Sequence, residues 1–66
     1  MISWKRIEAG EYESTDKRFK IQKTWDRIYG DHWKLRDTTV EDYYKGIYDG
    51  NTLLECKLKA EAILNK

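Results

Sequence analysis

Arg18, Lys20 and Gln22 stand at every second position of one short run, and His32, Lys34 and Arg36 at every second position of another. Alternation of this kind puts each trio on one face of a strand. The chemistry that these side chains share is anion recognition. A guanidinium grips phosphate oxygens with a planar fork, an ammonium acts as a point charge, and a glutamine amide reads base edges. If the two runs pair as neighbouring strands, either register sets Lys20 against Lys34 or Arg36. Like charges directly opposite are unfavourable, so such a cluster calls for a compensating anion, and phosphate backbone is the commonest one. A blander arrangement also satisfies the pattern: Glu11 and Glu13, alternating on an earlier segment, would compensate the first run and leave a solvated face.

A second set of candidates is aromatic. Trp25, Tyr29, Tyr43, Tyr44 and Tyr48 fall in or beside connecting segments, where an exposed ring anchors a protein partner or stacks on bases. A chain this small also recruits such rings to finish its core, the expectation for Trp25 and Tyr29. Catalytic chemistry finds little support. His32 is the sole histidine and Cys56 the sole cysteine, so no Cys/His metal cluster or nucleophilic triad assembles. Cys56 sits on an apolar helical stripe with no basic partner, which predicts an inert thiol. Glu8, Glu11 and Glu13 read as salt partners, and the scattered glycines form no phosphate loop. The expectation is a binding protein without enzymatic activity, cofactor or metal.

The elements that position these residues follow from periodicity. Ile2 to Ser14 reads as a first strand with a fault. Ile7 and Tyr12 are an odd number of residues apart, and a bulge at Gly10 would return both to one face. Ser14-Thr15-Asp16-Lys17 has turn chemistry. A tight hairpin there predicts Tyr12 opposite Phe19, Glu13 opposite Arg18 and Glu11 opposite Lys20. The second strand runs from Arg18 to about Trp25, a longer connection follows, and His32 to Asp37 forms the third strand, with Trp33 and Leu35 facing the core. Thr38 to Gly50 supports either a short helix, through Val40, Tyr43, Tyr44, Ile47 and Tyr48 at helical intervals, or an ordered loop. Thr52-Leu53-Leu54-Glu55 is a capping box that opens a helix. Its stripe of Leu53, Cys56, Ala60, Ile63 and Leu64 is apolar, and small residues at Cys56 and Ala60 allow close approach to a sheet. The predicted fold is α+β: a three-stranded antiparallel β-meander packed on one C-terminal α-helix, as one domain over residues 1–66.

Composition bounds this reading. The 66 residues include three Trp, five Tyr and one Phe, but no proline. At this size only about 60% of the unfolded surface is buried, so aromatic mass must supply what disulfides or metals supply elsewhere. A lone thiol fits a reducing compartment, and no apolar run reaches signal or membrane-span length, which predicts a cytoplasmic protein. Net charge is +1, yet residues 17–36 hold seven basic and two acidic side chains. This positive block lies between acidic ones.

Trp4, Gly10-Glu11-Tyr12, Asp16, Trp33-Lys34-Leu35-Arg36-Asp37 and Thr52-Leu53-Leu54-Glu55-Cys56-Lys57 together resemble a loose pattern in small proteins of bacteriophages and integrated phage genomes. The strand-strand-strand-helix order is also similar to AP2-like domains and the arm-binding domains of phage-type integrases. The resemblance implies a three-stranded sheet laid into a DNA major groove, with Arg18, Lys20, Lys34 and Arg36 at the matching exposed positions, in the cytoplasm of a bacterial host. This chain departs from those families in its near-neutral charge and its acidic first strand. The alternative partner is a host protein held through the aromatic set, and a homodimer through a sheet edge or the tyrosine-rich segment is a third arrangement.

Overall fold

Phe19, Ile21 and Leu35 are fully buried, and the sheet is arranged around them. The computed structural model describes residues 2–28, 30–42 and 44–65. The order of elements is β1 (Trp4–Glu8), β2 (Glu11–Ser14), β3 (Phe19–Asp26), β4 (Gly30–Asp37), a 3₁₀ turn (Tyr44–Gly46), β5 (Ile47–Gly50) and α1 (Leu53–Leu64). The strands form one antiparallel meander in the order β1-β2-β3-β4-β5. The α+β class and the C-terminal helix agree with the sequence reading, but the sheet has five strands rather than three.

Both extra strands have local causes. The expected first strand is two, because the chain reverses at Ala9-Gly10, where Gly10 adopts φ 78° and its carbonyl accepts the Lys23 N–H at 2.7 Å. The register shift lies between Arg6 and Glu8, so the bulge is at Ile7 rather than Gly10. Ile7 is exposed instead of sharing the core with Tyr12. Among the described residues of Thr38–Gly50 neither a regular helix nor a plain loop forms. One 3₁₀ turn precedes Ile47 and Tyr48, which pair with Arg36 and Leu35 as their β propensity favours.

The first hairpin slides by two residues from the expected register. Tyr12 faces Ile21, Glu13 faces Lys20 and Glu11 faces Gln22. The cause is Ser14. Its hydroxyl oxygen accepts the Phe19 N–H at 2.9 Å and donates to Asp16 at 2.6 Å, keeping Ser14 in the strand and moving the turn to Thr15–Arg18. Lys17 takes φ 66° there. A slide of two preserves every face. The β3–β4 connection is shorter than expected, since β4 already begins at Gly30.

α1 lies on the side of the sheet that carries Phe19, Ile21 and Leu35. Cys56 and Ala60 are its buried residues, with Leu53 and Ile63 packed alongside. Leu64, placed on the stripe by periodicity, is 41% exposed. The Thr52 hydroxyl accepts the Glu55 N–H at 3.1 Å, as a capping box requires. The Glu55 carboxylate reaches back one residue further than expected, accepting the Asn51 N–H.

A Cβ at Gly46 would stand 2.9 Å from the backbone oxygen of Asp37 and 3.1 Å from Val40 Cβ. Backbone at that point cannot yield without displacing the end of β4. Gly46→Ala is expected to lower stability by about 1–3 kcal/mol, read as a lower urea midpoint with an unchanged slope.

Candidate nucleic-acid interface

The sheet has two unlike faces. Alternation from the buried residues assigns Lys20, Gln22, His32, Lys34 and Arg36 to the face away from α1. Lys20 lies directly opposite Arg36, Gln22 opposite Lys34 and Thr24 opposite His32. The structure thus brings together five of the six alternating residues, with Lys20 facing Arg36. Lys20, Gln22, Lys34 and Arg36 line a hollow with Glu11, Ile21 and Ile47.

Arg18 is placed elsewhere. It precedes β3, outside regular strand geometry, so alternation does not govern its direction. Its Nε donates to Asp37 Oδ1 and its Nη2 to Asp37 Oδ2, each at 3.3 Å. The guanidinium carbon also lies 4.8 Å from the Phe19 ring centroid. Arg18 therefore closes the end of the core.

Acidic groups border the basic cluster. Glu13 Oε2 is 3.8 Å from Lys20 Nζ, Lys34 faces Asp49 on β5, and His32 Nε2 is 3.9 Å from Asp49 Oδ1. His32 Nδ1 also approaches the Gly30 carbonyl at 3.3 Å. Glu8 and Glu11 face each other across β1 and β2. The Glu11 pKa is raised, first by a hydrogen bond with Glu8, then by desolvation and the neighbouring negative charges. Charge on this face is mixed at its margins: Glu13 lies between Lys5 on β1 and Lys20 on β3, Asp49 borders Lys34 from β5, and the cations are densest on β3–β4.

The aromatic set does not form one surface. Trp25 is 67% exposed on β3 and so does not finish the core. Tyr44 is 85% exposed in the β4–β5 connection, at the opposite end of the sheet. Tyr48 packs against the core, with Lys59 Nζ 5.2 Å from its ring centroid. Tyr29 and Tyr43 lie outside the described residues. The Cys56 thiol is buried and pushed up to about 11 by desolvation, then by Glu55 and Asp49. Among the described residues, no group of three His, Cys, Asp or Glu side chains is arranged to hold a metal ion, and no helix is long and apolar enough to cross a membrane. No family model, curated protein or solved structure matches the chain.

Sequence reasoning missed the Arg18–Asp37 pair. The available signal was the turn itself, since a residue between turn and strand is free of the strand's alternation. Asp37 is 3% exposed, and burial alone would raise its pKa. Hydrogen bonds from Arg18 and Thr39, with the Arg18 charge, outweigh burial and hold it below the ordinary value. A depressed carboxylate stabilises the fold above its unfolded value of about 4 and loses that contribution as pH falls through the folded value. Stability is therefore expected to drop below about pH 4. Asp37→Asn should be less stable than wild type by about 2–3 kcal/mol at pH 7, with a smaller further drop in acid. Urea midpoints from pH 7 to pH 2 check both.

Proposed function

We propose that this chain is a small non-enzymatic binding protein that docks on duplex nucleic acid through the outer face of β3 and β4. The observation that carries the reading is the gathering of Lys20, Lys34 and Arg36 within two strand rows on a face that α1 leaves uncovered. Cations grouped at this spacing suit the oxygens of a phosphate backbone, to which they would donate charge-assisted hydrogen bonds. The carboxylates on β2 and β5 border the footprint on β3 and β4 and keep affinity modest. In this reading the sheet would engage the duplex as in AP2-like and integrase arm-binding domains, although five strands stand where those families have three, and the protein acts in the cytoplasm of a phage host.

With Lys20, Lys34 and Arg36 on phosphates, log K against log salt should have a slope of about −3. Alanine at any one of the three should weaken binding across sequences and reduce the slope by about 1. A titration of duplex DNA across a salt series measures both. No binding at low salt, or a slope that the triple variant leaves unaltered, removes the proposal.

A second reading rests on Tyr44. The residue is 85% exposed on a turn in which the Tyr44 N–H donates to Asp42 Oδ1 at 3.0 Å. An exposed ring on such a turn suits a protein anchor. A host protein captured stoichiometrically by wild type and lost with Tyr44→Ala would favour this reading.

A further inference from the structure

The helix side of the sheet is only partly roofed. Past the end of β2, the β3–β4 ribbon carries Lys23 opposite Trp33 and Trp25 opposite Asp31, all on the face of Ile21 by alternation. Trp33 is half-buried, and its ring centroid is 6.2 Å from that of Tyr12 at an interplanar angle of 51°. Trp25 follows on the diagonal, with its indole open to solvent. Three rings thus run from the margin of the core out along the ribbon.

Cations are interleaved with them. Lys23 is exposed between the two indoles, Arg6 is exposed opposite Tyr12 on β1, and Lys57 Nζ lies 5.5 Å from the Tyr12 ring centroid. Asp31 is the carboxylate in the same strand rows. The Ala9-Gly10 turn stops short of Trp25, leaving a hollow with Lys23 and Asp31 in its wall. Gly10 borders that hollow, and a Cβ there would meet Lys23 Cβ at 3.3 Å.

We infer that Trp25, continued at the margin of the core by the partly buried Trp33 and Tyr12 and accompanied by Lys23, Arg6 and Lys57, forms a stacking platform for single-stranded nucleic acid on the face opposite the proposed duplex-binding one. Every base has a flat π face, so exposed rings hold bases without regard to sequence, while lysine and arginine follow the backbone. A duplex hides its base faces and gains nothing from Trp25. An apolar protein partner or a neutral lipid surface would gain nothing from the three cations. The inference does not depend on the outer face.

The test is tryptophan quenching and anisotropy with labelled oligothymidylate of about ten nucleotides, the full chain, and a duplex control. Wild type is expected to bind the single strand with quenching. Trp25→Ala should weaken binding by about tenfold or more, and Trp25→Phe should retain most of it. Lys23→Ala should lower the salt slope by about 0.7. Trp25 is exposed, so these variants should keep the wild-type circular dichroism spectrum. The Lys20→Ala/Arg36→Ala variant should still bind the single strand, even where it loses the duplex. Absence of single-strand binding, equal binding by Trp25→Ala, or capture by neutral vesicles with no oligonucleotide binding overturns the platform and leaves the outer-face reading to its own titration.

Discussion

A single buried carboxylate joins the parts of this molecule that the sheet ladder alone leaves loose. Asp37 ends β4 at 3% exposure and accepts from Arg18 Nε and Nη2, the Thr39 N–H and the Thr39 hydroxyl. Its backbone oxygen accepts the Val40 N–H and leaves room only for glycine at position 46. One residue therefore ties the turn before β3 to the end of β4 and to the crossing that delivers β5. A buried charge is tolerated only when it is paired and hydrogen-bonded, so the Arg18 fork is a structural requirement. This requirement removes Arg18 from the outer face.

The hydrophobic core is small. Its buried residues are Phe19, Ile21, Leu35, Cys56 and Ala60, ringed by Trp4, Tyr12, Trp33 and Tyr48. A chain of this size has little apolar surface to spare. It nonetheless leaves Trp25, Ile28 and Tyr44 largely open. Rings that would have deepened the core stand on the ribbon and on the turn at the other end. The two proposals put different ligands on the two faces of β3–β4, phosphate on the outer side and bases on the side of α1.

Several features were legible in the residues. Phe19 and Ile21 were readable as core because alternation survives any even register slip, and the hairpin did slip by two. That Lys20 would meet Lys34 or Arg36 followed from the same parity, and pairing in the sheet selects Arg36. The α1 boundary was readable from Thr52 and Glu55 because capping is local chemistry. The reversal at Ala9-Gly10 was not readable as a turn, since glycine marks bulges and turns alike and the Lys23 clamp on Gly10 is a tertiary contact. β5 was hidden because Ile47 and Tyr48 satisfy helical spacing as well as a strand. Only pairing with Leu35 and Arg36 decides between them.

The amino-acid sequence by itself determined what periodicity and local chemistry encode. These are the α+β class, the wet and dry sides of β3 and β4, the start of the helix, and the clustering of cations on the central block. Tertiary structure decided the number of strands, the withdrawal of Arg18 to Asp37, the separation of the aromatic residues to opposite ends, and the exposure of Trp25. The physical reason is range. Alternation and capping act within a few residues, whereas strand number, charge pairing and burial depend on which distant segment arrives alongside.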